Sequence, residues 1–327
     1  MIEPGLVSTI VPVHDRPAML VEAVESVLAQ SYRPVEVLIV DDGSTDDTSR
    51  VADSLAEHHP EVRAYHIPNG GPGVARETGR RQARGEFIQY LDSDDVLLPG
   101  KFESQVCALG DDPECGVCYG KTRYVDEAGG GADRAWRRTG ERIVSMFPSF
   151  LVDRWWGTST PLYRRSVTDA AGPWTALWNE EDWEYDCRVA ALGYRLAYVP
   201  EFVSEQRGHA ADRLSRNGSS DPAKLRDRAA AHALIFGHAV RAGIGPRDEE
   251  MRHYVRELFL LSRQCGAAGL AAEARQLHAL AGRAAKGDGD GRLDLRIYGA
   301  LAAVVGWHRL GSLMCALDRR RARRGKS

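Results

Sequence analysis

Two acidic clusters contain the residues of this sequence best suited to chemistry. Asp41-Asp42 and Asp92-Ser93-Asp94-Asp95 each follow an apolar run. Carboxylates this close together repel one another, so either a cation lies among them or some of them bind protons or stay fully solvated. Ligand sets made only of oxygen favour Mg²⁺ or Mn²⁺, which keep open positions for water and phosphate oxygens. The alternative interpretation is a polar loop that caps the segment after it.

A third acidic cluster, Glu180-Glu181-Asp182, lies before a helical segment and could supply a general base. Three tryptophans flank it and favour a partly desolvated pocket against which a sugar can stack: Trp174, Trp178 and Trp183. The alternative is capping, because carboxylates in the first turn of a helix are stabilised by the helix dipole.

The segment Asn69–Gly79 (NGGPGVARETG) resembles a phosphate-binding loop. Its spacing matches neither G-x-G-x-x-G nor the P-loop pattern, so it gives little support for a dinucleotide-binding fold. Arg76 in this segment could pair with a phosphate or a base. The alternative for Arg76 is an ordinary surface arginine.

Two further signals concern metal binding. Cys115-x-x-Cys118 is not followed by a second Cys/His pair at zinc spacing, so we interpret these residues as two buried cysteines at the start of a strand. His209 is either a metal ligand or a hydrogen-bonded loop residue.

The apolar pattern predicts the framework that must position these clusters. Over the first hundred residues, β-type runs alternate with segments of helical periodicity. This order predicts βαβ units and an α/β fold with a mostly parallel sheet flanked by helices. In such sheets ligands bind outside the carboxyl ends of the strands, where Asp41-Asp42 and Asp92–Asp95 are placed. The predicted strands are 6–13, 35–40, 62–67 and 86–91.

The character of the chain changes near residue 220, where Ala and Arg become abundant and helical periodicity dominates. We therefore predict an α/β domain over 1–218 and a helical C-terminal region with a basic tail over 219–327. The helical region carries no catalytic signature. Its predicted helices are 223–241, 247–265, 270–286 and one or two within 293–317, with a linker at 288–291.

The segment Tyr298–Leu317 is nearly long enough to span a bilayer. His308 and Arg309 lie in its middle, where charge is costly, so a buried or interfacial amphipathic helix is the better prediction. Six basic residues follow and could dock on an anionic membrane surface, or form a solvated tail. They are Arg319, Arg320, Arg321, Arg323, Arg324 and Lys326.

Composition narrows the function classes. The 327 residues are 43% hydrophobic and 27% charged, values typical of a globular protein rather than a disordered or polytopic membrane chain. A net charge of −3 argues against a nucleic-acid binder, and six cysteines argue against a disulfide scaffold. No signal peptide is visible. We expect a cytoplasmic protein that could lie peripherally on the inner face of the membrane.

Taken together, the motifs resemble glycosyltransferase family 2 with the GT-A fold, over about residues 5–215. Five motifs occur in the family's order and spacing. They are Val11-Pro12-Val13 with His14-Asp15, Val40 to Asp46, the Gly70–Gly79 loop with Ala75-Arg76, Leu91 to Asp95 with Pro99, and Glu181-Asp182 followed by Arg188 and Gly193.

The resemblance implies an inverting transferase that moves a sugar from a nucleotide-diphosphate sugar, usually UDP-linked, to a hydroxyl of a saccharide or lipid-linked acceptor. It implies Asp182 as the catalytic base and Mg²⁺ or Mn²⁺ as the cofactor. The implied metal ligands are Asp94 and Asp92, and His209 stays a candidate third ligand on its residue type alone. The implied nucleotide-binding residues are Pro12, Val13, Asp15, Asp41, Arg76, Asp92 and Ser93.

Two departures from the family pattern matter. Glu77 stands where the family often has Asn, which would alter a polar contact to the donor. The acidic run leaves open whether Glu181 or Asp182 is the base.

Three other functions remain open at this stage. A sugar nucleotidyltransferase also uses an α/β nucleotide site, but its Gly-rich N-terminal loop with a basic residue is missing from STIVPVHDRP. A receiver-like signalling module needs an acidic pair after its first strand and a strand-end Lys, which are not evident. A catalytically inactive nucleotide-binding homologue of a transferase is the third.

Overall fold

The computed structural model describes residues 2–126, 130, 134–208, 221–286 and 292–324, with the side chains of 292 and 319–324 left out. The chain forms two compact units. Of the described residues, the first unit holds 2–146, 154–177 and 192–208, and the second holds 147–153, 178–191 and 221–324. The predicted boundary between 218 and 219 and the predicted linker at 288–291 lie outside the described residues.

The first unit is built on a mixed sheet, in which the described residues contribute eight strands in the order β3-β2-β1-β4-β7-β6-β8-β5. β1 to β4 are parallel to one another, as are β6 and β8, whereas β7 and β5 pair antiparallel with their neighbours. The strands are β1 (Glu3–Val13), β2 (Val35–Asp42), β3 (Val62–Ile67), β4 (Gly85–Tyr90), β5 (Val96–Leu97), β6 (Cys115–Val125), β7 (Leu162–Arg164) and β8 (Arg195–Arg207).

Helices cover both faces of this sheet. They are α1 (Pro17–Leu28), α2 (Thr48–His58), α3 (Pro72–Gln82), α4 (Lys101–Asp111) and α5 (Arg165–Ala171). α1, α2 and α4 pack on the face to which Val7, Val11 and Val37 contribute. Successive residues of a strand point to opposite faces, so Ile10 points to the other side, where α3 lies against it. Every residue of β2 is buried, as a strand covered on both sides requires.

The predicted α/β class with a mostly parallel sheet flanked by helices is confirmed. The four predicted strands of the first hundred residues correspond to β1 to β4. The short strands β5 and β7 and the helix α5 were not predicted.

The described part of the second unit is helical. Its helices are α6 (Glu181–Ala190), α7 (Pro222–Arg241), α8 (Glu249–Ala267), α9 (Ala271–Ala284), α10 (Arg292–Val305) and α11 (Trp307–Arg324), with a 3₁₀ turn at Ser149–Leu151. Gly306 has a φ of +90° and separates α10 from α11, so the segment predicted as one or two helices forms two. Among the described residues, no helix has the length and apolarity needed to cross a membrane.

A buried lysine of the first unit makes its stability depend on pH. Lys101 donates hydrogen bonds from Nζ to Gln105 Oε1 and to the Thr160 carbonyl, both at 2.7 Å. Burial lowers the pKa of Lys101 to about 7, well below the value of about 10.4 in an unfolded chain.

Lys101→Met should therefore change how stability responds to pH. Between about pH 7 and pH 10, the unfolded chain binds one more proton at Lys101 than the folded chain does. Because of Lys101, the free energy of unfolding of the wild-type protein should rise with pH in this range, by at most about 1.4 kcal/mol per pH unit. Urea unfolding of wild type and Lys101→Met across this range measures the difference. We expect a stability difference that grows with pH in favour of wild type, and identical slopes for the two proteins would refute this expectation.

Candidate functional site

The carboxyl ends of three neighbouring strands meet at the centre of the sheet. β1 lies between β2 and β4, and the register pairs Val13 with Asp41 and Ile10 with Tyr90. Asp42 is the last residue of β2, and the segments after β1 and β4 carry His14 and Asp92. The strand order reverses at β1, because β2 lies on one side of it and β4 on the other. In α/β sheets, ligands bind in the crevice that such a reversal creates at the carboxyl ends of the strands. Pro12 and Val13, which the resemblance assigns to the nucleotide pocket, occupy the end of β1.

Asp42 fixes the glycine-rich loop. Its Oδ1 accepts a hydrogen bond from the Gly70 N–H at 2.7 Å and its Oδ2 accepts one from the Gly71 N–H at 2.8 Å. Gly43 has a φ of +70°, and a Cβ there would lie 2.6 Å from the Asn69 nitrogen. The position after β2 therefore requires glycine. The Asp42 carboxylate holds the Gly loop through the backbone N–H groups of that loop. Sequence reasoning selected Asp41 and missed this role of Asp42.

Asp41 is buried and its carboxylate is already hydrogen-bonded. It accepts hydrogen bonds from the Ser44 N–H at 3.0 Å and from the Ser49 hydroxyl, and it contacts His66 Nδ1 at 3.0 Å. Burial opposes the charged form, but these hydrogen bonds outweigh it and lower the pKa of Asp41. Asp41 is therefore held as an anion with a fixed orientation at the end of β2.

His66 was not predicted from the sequence, yet it connects two carboxylates. Its Nδ1 faces Asp41 and its Nε2 lies 2.9 Å from Asp53 Oδ1. The hydrogen bonds to Asp41 and to Asp53 raise the pKa of His66. Protonated His66 donates to both acids at once, which stabilises their charges.

Asp15 joins the loops that follow β1 and β2. Its backbone N–H donates to Ser44 Oγ at 3.0 Å, and its Oδ1 accepts from the Thr45 N–H at 2.7 Å. Asp15 has a φ of +50°, a conformation that Asp tolerates better than most residues. The hydrogen bond from the Thr45 backbone is the main cause of its lowered pKa. This predicted site residue therefore shapes the loop beside the strand ends.

Arg76 is only 4% exposed, so its interpretation as an ordinary surface arginine is wrong. Its Nη2 donates to Asp92 Oδ1 at 2.8 Å, and its guanidinium lies 4.8 Å from the centre of the Trp174 ring. Trp174 in turn packs edge-on against Tyr90 at 4.9 Å. The arginine thereby sits between an aromatic ring and the first acid of the Asp92–Asp95 turn.

Glu77 contacts its own helix and the segment beside it. It forms ion pairs with Arg80 and Arg81, and its Oε2 accepts the Trp174 N–H at 3.3 Å. The carboxylate that replaces the family's Asn thus helps to fasten the Trp174 backbone.

The acids of the Asp92–Asp95 turn are stabilised in different ways. Asp92 pairs with Arg76, and Asp94 Oδ2 lies 2.9 Å from Arg16 Nη1. Asp95 is buried and accepts a hydrogen bond from Ser159 Oγ at 2.7 Å. Burial, together with the charges of Asp94 and Asp92, raises the pKa of Asp95 well above its ordinary value. The repulsion among these carboxylates is therefore relieved in two ways. Arg76 and Arg16 pair with Asp92 and Asp94, and the carboxyl of Asp95 favours its protonated, neutral form.

A divalent cation fits the donor chemistry of this turn. Asp92 and Asp94 offer carboxylate oxygens and remain partly exposed, whereas Ser93 is buried. Within the described ranges, no three His, Cys, Asp or Glu side chains converge as a complete metal site. Mg²⁺ and Mn²⁺ do not need one, because such cations take much of their coordination from phosphate oxygens and water. His209, the third predicted ligand, lies outside the described residues.

The Gly loop packs tightly on the segment that carries Trp174. A Cβ added at Gly73 would lie 2.0 Å from the Thr175 carbonyl oxygen. By contrast, a Cβ at Gly110 in α4 would meet nothing within 4 Å.

Gly73→Ala should destabilise the protein by about 1–3 kcal/mol, because backbone must move to relieve the overlap. Gly110→Ala is the matched control and should be neutral or stabilising by up to about 1 kcal/mol, since Ala is the better helix former. Thermal unfolding of both variants measures this. Equal stability changes in the two would show that the Gly73 contact has no energetic weight.

The third acidic cluster lies in the second unit, where α6 begins. Glu180 adopts the left-handed conformation with a φ of +61°. Its Oε1 accepts from Arg228 Nε at 2.7 Å, and its Oε2 lies 3.0 Å from His232 Nε2. Burial opposes its charge, but contacts with His232 and Arg228 outweigh burial and lower the pKa of Glu180. His232 Nδ1 lies 2.9 Å from the Tyr254 hydroxyl. Glu180 therefore anchors the start of α6 to α7.

The other two acids of this cluster differ in exposure. Glu181 is buried, whereas Asp182 is half-buried. Asp182 Oδ1 accepts from the Trp183 N–H at 2.7 Å, and the Trp183 indole donates to the Phe150 carbonyl at 2.7 Å. The greater exposure of Asp182 favours it over Glu181 as the acid that can meet a substrate. Arg228 and His232 lie about fifty residues away in sequence, and no local pattern indicates their contact with Glu180.

Comparison with known proteins identifies this arrangement. Residues 8–166 match the sequence pattern of the family described as Glycosyl transferase family 2. This part of the chain belongs to glycosyltransferase family 2. The chain is 34% identical over 126 residues to the glycosyltransferase GlyG of Streptococcus pneumoniae serotype 4, in an alignment that covers 38% of this chain and 42% of GlyG. Alignments with curated relatives cover only 16–42% of the relatives' own lengths.

Solved structures show that the family 2 domain has the GT-A fold. S. aureus TarS, residues 1–349 in complex with UDP, superposes with a TM-score of 0.62 at 19% identity, over 84% of this chain and 82% of that one. The mannosyltransferase PcManGT from Pyrobaculum calidifontis, in complex with GDP-Man and Mn²⁺, gives a TM-score of 0.52 at 20% identity, over 95% of this chain and 84% of that one. The predicted family and fold are confirmed.

Proposed function

We propose that this protein is a glycosyltransferase that moves a sugar from a nucleotide-diphosphate sugar, UDP-linked, to a hydroxyl of a saccharide or lipid-linked acceptor. The observation that carries this proposal is the crevice at the end of β1, where Asp42 holds the Gly loop and Arg76 pairs with Asp92. The TarS and PcManGT complexes contain UDP and GDP-Man, which supports a nucleotide donor for this fold. Family 2 membership favours sugar transfer over the nucleotidyltransferase alternative.

The donor side of the reaction uses the first unit. Pro12, Val13, Asp15, Asp41 and Ser93 line or shape the nucleotide site, and the family resemblance assigns Asp41 to the base. Arg76 and Arg16 provide positive charge beside Asp92 and Asp94, and this charge favours a diphosphate. Asp94 and Asp92 would hold Mg²⁺ or Mn²⁺, whose chemistry there would be to supply positive charge to the leaving diphosphate.

The acceptor side of the reaction uses Asp182. Its carboxylate takes the proton of the acceptor hydroxyl while that oxygen bonds to the anomeric carbon. The bond from that carbon to the diphosphate oxygen breaks on the opposite face, so the configuration inverts, through an oxocarbenium-like transition state. Glu180 supports this role indirectly, because its contacts with Arg228 and His232 fix the first turn of α6.

Besides the donor and the acceptor, the protein is proposed to contact a membrane. We propose that the basic residues 319–326 bring the protein to an anionic membrane surface at the cytoplasmic face, where a lipid-linked acceptor would lie.

Release of nucleoside diphosphate tests the proposed reaction. Purified protein with Mn²⁺ is given UDP-linked and GDP-linked sugars, with and without saccharide and lipid-linked acceptors. We expect one donor to be consumed, faster when an acceptor is present, and the product to have inverted anomeric configuration by NMR. Nucleotide binding without release from any donor, under all acceptors, would instead support an inactive homologue.

A further inference from the structure

α10 presents apolar side chains on two faces, of which only one is covered. Leu295, Tyr298 and Ala302 are buried, and Tyr298 and Ala302 pack with Phe259 of α8 and with Trp307. The outer face carries Leu293, Ile297, Leu301, Val304 and Val305, with exposed fractions of 64, 49, 48, 85 and 43%.

This outer face is continuous along the helix. The exposed positions 293, 297, 301 and 304–305 recur at the helical period, so they form one stripe. Residues 297–307 (IYGALAAVVGW) contain no charged side chain. Large exposed apolar stripes are unusual on isolated globular proteins and mark a surface that something covers.

The charges that neighbour and follow the stripe in sequence indicate what covers it. Residues 292–327 carry nine Arg and Lys against two Asp, within a chain whose net charge is −3. In α11, the exposed Leu313 and Leu317 are followed by Asp318 and then by the basic run that begins at Arg319. An apolar helix face joined to a dense positive charge matches a bilayer surface, which offers acyl chains beneath anionic headgroups.

We infer that the outer face of α10 inserts into the interfacial layer of an anionic membrane and lies parallel to its plane. This inference rests on the proposed membrane contact of residues 319–326 and deepens it, because the basic residues attract the surface and the α10 stripe enters it. The helix has 14 residues, too few for a membrane span, which fits a position in the interface. A second copy of the chain is the alternative occupant of the stripe.

Sedimentation with vesicles tests this inference on the full chain. The probes are vesicles of phosphatidylcholine alone and of phosphatidylcholine with phosphatidylglycerol. The test variant combines Ile297→Ser, Leu301→Ser and Val304→Ser. The matched control combines Leu234→Ser and Val240→Ser, two exposed apolar residues of α7. A second test variant, Val304→Trp, enlarges the apolar aromatic surface of the stripe and should strengthen binding, with sedimentation in the absence of vesicles as its control for aggregation.

We expect wild type and control to bind the anionic vesicles, the triple variant to bind about tenfold or more weakly, and Val304→Trp to bind more tightly. A triple variant that binds as wild type does, or that changes only the oligomeric state in light scattering, overturns the inference. Truncation after Leu317 separates the two proposals. If truncation abolishes binding and the triple variant does not, the basic run alone is the anchor; the reverse pattern leaves only the α10 face.

Discussion

Asp182→Asn should lower the rate of sugar transfer by about 10²–10⁴-fold, the contribution typical of a positioned general base. The amide keeps the size of the side chain but cannot take a proton from the acceptor hydroxyl. Donor binding should stay close to that of wild type, since the proposed nucleotide site belongs to the other unit. Steady-state transfer rates and calorimetric titration with the nucleoside diphosphate measure the two quantities separately.

Glu181→Gln is the matched control for this experiment. Glu181 is adjacent and buried, so it is less accessible to an acceptor than Asp182, and we expect Glu181→Gln to keep most of the transfer rate. If Glu181→Gln abolishes transfer and Asp182→Asn does not, the base is Glu181. If both variants transfer at the wild-type rate, neither acid is the base and the proposed mechanism fails.

Asp94→Ala should remove the gain in nucleotide affinity that Mn²⁺ provides and lower transfer by about 10²-fold or more, because a cation at a departing diphosphate contributes several kcal/mol. Its Arg16 partner would then face the site without its carboxylate. Calorimetric titration with the nucleoside diphosphate, with Mn²⁺ and with a chelator, measures the change.

Asp47→Ala is the control for Asp94→Ala. Asp47 belongs to the same unit, but its side chain is 70% exposed and pairs only at the surface with Arg50, so its loss should leave nucleotide binding unchanged. Equal Mn²⁺ dependence in Asp94→Ala and wild type would show that the cation, if used, is held elsewhere.

The strands of the sheet were largely predictable from the sequence where they consist of long apolar runs. VEVLIV reads as a buried strand on its own, and β2 is buried throughout. β7 has only three residues, Leu162–Arg164, too few for any periodicity to show. Its pairing with β4 and β6 depends on contacts between residues about 45 to 75 positions apart in sequence. Such short antiparallel additions are decided by tertiary packing rather than local preference.

The candidate site likewise has a part that was predictable from the sequence and a part that was not. The spacing of Asp41, Asp92 and Asp94 at strand ends could be read directly from the sequence. The hydrogen bonds from the Gly70 and Gly71 N–H groups to Asp42 could not, because they join a strand end to a loop 28 and 29 residues further on. Arg76 was undecided because its burial against Trp174, 98 positions away, has no local signal. These missed contacts orient the residues that the sequence did identify.

The most direct test of the donor site is thermal stability in the presence of UDP, GDP, dTDP, CDP and ADP, each with and without Mn²⁺. A ligand at about 100 times its dissociation constant stabilises a protein by about 2.7 kcal/mol, which gives a readable shift. We expect a shift with one nucleotide, UDP, that is larger with Mn²⁺ and that loses this Mn²⁺ dependence in Asp94→Ala. Absence of a shift with all five nucleotides, in protein that unfolds cooperatively, would contradict a nucleotide-sugar site at the end of β1.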